Sequence, residues 1–132
     1  EDEHDCFSDN THNSHFYNGL GIRNVYLGEY TRVDGNKISG PSLSSLVAKA
    51  DATADATLKA DLNATQAKLQ VIVDHANKSE HFDQLIAAGN TQGNQIVRDA
   101  IASLVTQTGA IEQAATKLGI TDLNPDNADH EL

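Results

Sequence analysis

The helical character of the chain is clearest in residues 51–70, DATADATLKADLNATQAKLQ. Alanine, leucine, lysine and glutamine favour helices, and the segment contains no run of β-branched residues. Apolar positions recur here at steps of three or four residues, as on the buried face of an amphipathic helix. That face comprises Leu58, Leu62, Thr65, Leu69, Ile72, Val73 and Ala76. With Ser42 as an N-cap upstream, the sequence predicts helix over about 42–77, with Asp51 as a position where it breaks or restarts.

Two further segments flank this one and have the same helical period. Phe16, Leu20 and Leu27 fall at helical spacing and predict a helix over about 11–30. The connection that follows, 31–41, is rich in turn-forming residues. A third long helix is predicted over about 92–118, with a shorter connection before it that has room for about one helical turn. Its apolar stripe comprises Ile96, Val97, Ala100, Ile101, Leu104, Val105, Ile111, Ala115 and Leu118.

Three long helices with wide apolar stripes predict an all-α, up-and-down helical bundle. A fourth helix would close such a core better than three can, and another chain or sequence upstream of Glu1 could supply it. The chain therefore divides into a polar loop (1–10), a helical-bundle lobe (11–119) and an acidic tail (120–132). The polar start of the chain suggests a fragment of a longer protein.

The overall charge narrows the possible partners. The chain has 9 Lys and Arg against 19 Asp and Glu, a formal net charge of −10. Binding to nucleic acid needs clustered cations, so this balance argues against it, and it also disfavours docking on an anionic membrane. An acidic surface is compatible with cation binding, or simply keeps the protein soluble. No apolar run approaches the roughly 20 residues of a transmembrane helix.

The polar loop and the start of the first helix carry the residues best suited to chemistry. They are His4, Cys6, Asp9, His12 and His15. The last two lie three residues apart on one predicted helix, so their rings can share a face. Imidazole, carboxylate and thiolate together suit Zn²⁺, Fe²⁺ or Cu²⁺. The alternative is a polar helix start whose histidines are only solvated or hydrogen-bonded. The sequence contains no catalytic motif, such as His-Glu-x-x-His or Gly-x-Ser-x-Gly, so enzymatic activity stays open.

A larger block of sequence resembles a known family. The segments Cys6–His12, Asn18–Tyr30, Arg32–Gly35 and Ser39–Leu43 are similar to the C-terminal half of the imelysin family of bacterial envelope proteins. The similarity continues through Phe82–Ile86 and Gly89-Asn90 into the last helix.

The resemblance implies more than the pattern does. It implies two four-helix-bundle lobes, of which this chain supplies most of the second. It also implies a periplasmic or outer-membrane-associated protein linked to iron or haem acquisition, with iron, zinc or haem as the candidate cofactors. Asp9, Asn10, Thr11 and His12 match the family pattern and would border the cleft between the lobes.

The resemblance leaves two other functions open. The family was labelled as metallopeptidases for a Gly-x-His-x-x-Glu motif in its upstream half, and this sequence has no such motif. A peptidase would therefore need its metal motif from a missing N-terminal half or a second chain. The remaining alternative is a purely structural or interaction bundle.

Overall fold

The computed structural model describes residues 3–123, so most of the predicted acidic tail lies outside the described part of the chain. A short 3-10 helix, Cys6–Ser8, precedes five α-helices: α1 (Thr11–Leu27), α2 (Leu43–Ala50), α3 (Ala52–Ala76), α4 (Phe82–Ile86) and α5 (Thr91–Lys117). Two short strands, β1 (Glu29–Thr31) and β2 (Lys37–Ser39), lie between α1 and α2. The predicted all-α fold class is confirmed. In the described residues, no helix is long and apolar enough to span a membrane.

The predicted helix over 42–77 is two helices, because Asp51 restarts it. The Asp51 backbone is extended, with φ −157° and ψ 102°. Its Oδ1 accepts hydrogen bonds from the backbone N–H groups of Thr53 and Ala54, each at 3.0 Å. A carboxylate in this position satisfies N–H groups that a helix start leaves free. Asp51 Oδ2 also lies 2.8 Å from Lys117 Nζ, which ties the start of α3 to the end of α5.

A β-hairpin replaces part of the predicted first helix and of the turn-rich connection. The helix was expected to reach residue 30, but Gly28 ends α1 in the left-handed conformation, with φ 64°. The strands are antiparallel, and Tyr30 is opposite Ile38. Glycine accepts a positive φ at little cost and so commonly follows a helix. The helical spacing upstream hid this stop signal.

The core consists of two clusters along α3. Near the start of α3, Leu58 and Leu62 pack with Tyr26, Val47, Ala110 and Ala114. Near its end, Leu69 and Ile72 pack with Phe82, Leu85 and Ala100. The long helices α1 and α5 both pack on α3, whereas α2 joins the first cluster and α4 the second. The second cluster therefore fixes the start of α4 beside α1.

The apolar stripe of α5 is only partly buried, which corrects the predicted stripe. Its buried residues include Ala100, Gln107, Ala110 and Ala114, whose mostly small side chains let α5 approach α3 closely. Ile101 and Val105 are 54% and 68% exposed. They lie on the side of α5 that no described element covers.

Two adjoining apolar grooves lie between α1 and α5, and we call them together the open groove. Their volumes are about 570 and 430 Å³, and both are lined by Ile22 of α1. Ile111 and Leu118 of α5 line the first, and Val97 and Ile101 line the second. If α1 and α5 packed against each other as well as on α3, they would bury these side chains. The bundle formed by residues 3–123 is therefore open between α1 and α5.

Candidate functional site

The candidate site is built at the N-terminus of α1. The 3-10 turn ends at Asp9, which is the one non-glycine residue with a positive φ (52°) among the described residues. Aspartate tolerates this left-handed conformation better than most residues do. The Asp5 backbone N–H donates to Thr11 Oγ1 at 3.1 Å, and Thr11 is buried. These contacts fold the polar loop over the first turn of α1 and bury the residue that follows, His12.

His12 is a buried histidine with one free ring nitrogen. Its side chain is 6% exposed, and its buried Nδ1 has no hydrogen-bond partner. Its Nε2 lies 3.2 Å from Asn13 Nδ2, which also donates to Asn10 Oδ1 at 2.7 Å. A buried ring nitrogen without a partner costs about 1–3 kcal/mol, so a ligand bound to Nδ1 would remove a real penalty.

The hydrogen bonds around His12 can run in either direction. The oxygen and nitrogen of an asparagine amide are nearly isosteric, so both amides can turn over together. Asn10 then donates to Asn13, whose oxygen accepts from His12 Nε2–H. In that arrangement Nδ1 carries a lone pair instead of a proton, which is the form that binds a metal ion.

His81, which the sequence interpretation did not select, completes the cluster. It immediately precedes α4, and its ring lies edge-on to that of His12, with ring centres 5.8 Å apart and an interplanar angle of 84°. His81 Nδ1 lies 2.8 Å from Asp9 Oδ2, close enough for an ion pair but without the alignment of a hydrogen bond. We call Asp9, His12 and His81 the histidine cluster. His81 reaches His12 because α4 packs beside α1, and no pattern in the neighbouring sequence indicates that contact.

His15 and His4 form a second, adjacent pair. Their ring centres are 4.6 Å apart, and His15 also lies 5.1 Å from the ring of Phe82. Burial lowers the pKa of His15, and neighbouring His4 lowers it further, against the opposing effect of Asp5. The ring of His15 is therefore held neutral more readily than a solvated histidine. His15 also lines the open groove, so the two features meet at this residue.

The five predicted ligands therefore do not form one cluster. Asp9 and His12 belong to the histidine cluster, His4 and His15 pair beside it, and Cys6 is an exposed thiol. Within residues 3–123, no three His, Cys, Asp or Glu side chains are placed to hold a metal ion together. In the histidine cluster, His12 Nδ1 is an unpartnered nitrogen that could bind a metal ion, and the cluster also contains a carboxylate and a second imidazole.

Comparison with known proteins agrees with the sequence pattern. A family model described as Imelysin matches residues 1–111, which include the whole histidine cluster and most of α5. The chain belongs to the imelysin family. No curated protein matches it. The matched region runs from the polar loop into α5, so it includes the histidine cluster and most of the residues that line the open groove.

Proposed function

We propose that this chain is the second lobe of an imelysin-like envelope protein that binds a metal ion for iron or haem acquisition. The observation that carries this proposal is the buried imidazole of His12, whose Nδ1 has no hydrogen-bond partner. The net charge of the chain, −10, also favours binding of a cation. Burying a ring nitrogen without a partner costs free energy, and a ligand bound to that nitrogen would offset the cost. A divalent cation suits an imidazole with a carboxylate nearby.

The residues present fit one side of such a site. His12 Nδ1 would bind the metal, the Asn13–Asn10 pair would hold its other nitrogen as an N–H donor, and Asp9 would supply an oxygen after turning from His81. A bound divalent ion would supply positive charge that attracts anionic ligands such as the carboxylates of haem. Stable metal sites need three or four ligands, so the remaining ones come from outside residues 3–123 in this proposal.

The exposed apolar side chains of the open groove also support the presence of a further part of the protein or a second chain. A helix laid between α1 and α5 would cover Ile22, Ile101 and Ile111, at about 25 cal/mol for each Å² of apolar surface buried. Since His15 lines this groove, a helix seated there would also approach the histidine cluster. We propose that an upstream half of the protein, or a second chain, supplies both the covering helix and the missing ligands.

Isothermal calorimetry with Zn²⁺ tests the metal site. We expect weak binding by the 132-residue chain, tighter binding when an imelysin N-terminal half is joined to it, and a loss of at least about tenfold for His12→Ala in the joined protein. His75→Ala is the matched control, because His75 is a half-buried histidine outside the cluster whose Nδ1 also has no partner. Equal affinity with and without the N-terminal half, or equal affinity for both variants, would contradict the proposal.

The same joined protein distinguishes the peptidase alternative. A chelator-sensitive cleavage of casein that disappears in His12→Ala would favour a metallopeptidase. Metal binding without cleavage of this or other unfolded proteins would favour the binding function.

A further inference from the structure

A third concave surface lies between α1 and the two strands of the hairpin. We call it the hairpin hollow; it has a volume of about 950 Å³. Its charged side chains are Arg23, Arg32, Lys37 and Glu29. The chain as a whole has about twice as many acids as bases, with 19 against 9, so three cations against one acid is a local reversal of charge.

These cations are not neutralised within the described structure. Among residues 3–123, neither Arg32 nor Lys37 forms a salt bridge, and both are exposed. Arg23 Nε donates to Asn63 Oδ1 at 2.9 Å, a neutral partner that orients the guanidinium and leaves its charge uncompensated. A concave surface lined by one sign of charge concentrates ligands of the opposite sign.

The hairpin hollow also presents apolar side chains. Tyr17 of α1 and the cross-strand pair of Tyr30 and Ile38 line it, and all three are exposed. Val33, near the tip, is fully exposed. Aromatic residues beside arginine are typical of protein-binding surfaces, where they bury a large area at low entropic cost. A small inorganic anion would use the cations but leave this apolar surface in water.

The strand edges add a third property. The Arg32 N–H donates to the Asn36 carbonyl, and the Gly40 N–H donates to the Gly28 carbonyl. In an antiparallel ladder every second pair of opposite residues is hydrogen-bonded. Tyr30 and Ile38 lie between the two hydrogen-bonded pairs just named, so they form the third hydrogen-bonded pair. The backbone groups of the intervening residues therefore point outward, along two edges with no third strand among the described residues. One edge carries the groups of Lys37, which lines the hollow.

We infer that the hairpin hollow binds an extended, acidic segment of a partner protein, which pairs with an edge of the hairpin. Carboxylates on one face of the segment would meet Lys37, and its alternate apolar side chains would lie on the other face, beside Tyr30 and Tyr17. Arg23 and Arg32 would add positive charge around the segment. Main-chain pairing supplies affinity in such strand addition, and the side chains supply specificity. This interaction surface is separate from the metal site proposed above and does not depend on it.

A labelled peptide tests this inference on the 132-residue chain. The probe alternates glutamate and valine over about seven residues, which spans roughly 23 Å when extended. Fluorescence anisotropy should show saturable binding, and nuclear magnetic resonance should place the largest amide shifts within 28–40. A matched peptide with glutamine in place of glutamate should bind at least about tenfold more weakly, as should the acidic peptide with alternate amides N-methylated.

Charge reversal in the protein provides the matched controls. The double variant Arg32→Glu with Lys37→Glu should weaken binding of the acidic peptide by about tenfold or more. Lys49→Glu with Lys78→Glu makes the same change in net charge at exposed positions outside the hollow and should leave binding within about twofold. Equal losses in both double variants would show a nonspecific charge effect and overturn the inference. Largest amide shifts that lie outside both the hairpin and the facing residues 17–25 of α1, or full binding by the N-methylated peptide, would overturn it as well.

Discussion

Gly93, in the first turn of α5, provides the sharpest test of how α4 is held beside α1. A Cβ added at this position would lie 2.6 Å from the Leu85 carbonyl oxygen and 2.8 Å from Leu85 Cα. Both atoms belong to the backbone of α4, so they cannot move aside without shifting that helix. The Gly93 N–H also donates to Asn90 Oδ1 at 2.8 Å, which fixes the start of α5. Gly93→Ala should therefore push α4 away from α5.

The expected magnitude follows from two opposing effects. Overpacking of a buried contact costs about 1–3 kcal/mol, and the better helix propensity of alanine returns at most about 1 kcal/mol. Gly109→Ala in the same helix is the matched control, because its added Cβ would have no atom within 4 Å apart from its chain neighbours and the backbone of its own helix. That variant should gain up to about 1 kcal/mol. The two substitutions should thus have opposite signs.

Urea unfolding followed by circular dichroism measures both free energies of unfolding. Thermal unfolding provides a second readout, at roughly 3–6 °C for each kcal/mol in a chain of this size. A displaced α4 should also change the contact between the His12 and His81 rings, which the ring resonances of the two histidines report. If Gly93→Ala were as stable as Gly109→Ala, the close packing of α4 on α5 would be refuted.

Three other predictions concern the apolar core, the buried carboxylate of Asp55 and the cap of α3. Leu85→Ala should lower the free energy of unfolding by about 2–5 kcal/mol, whereas Val71→Ala, at a 39% exposed site, should cost less than about 1 kcal/mol; urea unfolding measures both. Burial raises the pKa of Asp55, but hydrogen bonds from Lys59, Ser44 and Tyr26 outweigh it and hold that pKa below its usual range. The stability from the Asp55 carboxylate is thus present above the unfolded pKa of about 3.9 and lost as the pH falls through the folded value, so acid titrations should show a shallower loss for Asp55→Asn. Asp51→Ala should cost about 1–2 kcal/mol by removing the α3 cap, and Asp51→Ser, which can still cap, should recover part of it in thermal unfolding.

The long helices could be predicted because their period is local. Leu58, Leu62 and Leu69 lie one or two turns apart, and each is buried in α3 as the spacing required. The predicted restart at Asp51 also follows from local chemistry, since a carboxylate caps the N–H groups of the next two or three residues. Both features depend on neighbours within a few positions of the chain.

The exposed half of α5 could not be predicted in the same way. Ile101 and Val105 have the period of a buried stripe, but burial depends on whether another helix covers them, and periodicity cannot show that. The hairpin was missed for a related reason. Gly28 ends α1, but the helical spacing of apolar residues continues up to Leu27 without a break, so the spacing did not show where the helix ends.

The histidine cluster shows the same division between local and distant contacts. Asp9 and His12 could be selected because they are close in sequence at a predicted helix start. His81 could not be, since it reaches His12 only through the packing of Phe82 and Leu85 against α3 and α5. His15 has the right spacing from His12 but turns to His4 and Phe82, which spacing alone does not reveal.

Whether His12 is a metal ligand can be measured in a nitrogen-15 spectrum of the histidine rings during a Zn²⁺ titration of the 132-residue chain. His12 Nδ1 should shift at the lowest Zn²⁺ concentrations, His12 Nε2 should keep its proton, and the ring of His81 should respond at the same concentrations. His75 should respond only at higher concentrations. A His12 ring that stays unchanged while His75 titrates first would contradict the assignment of His12 as a metal ligand.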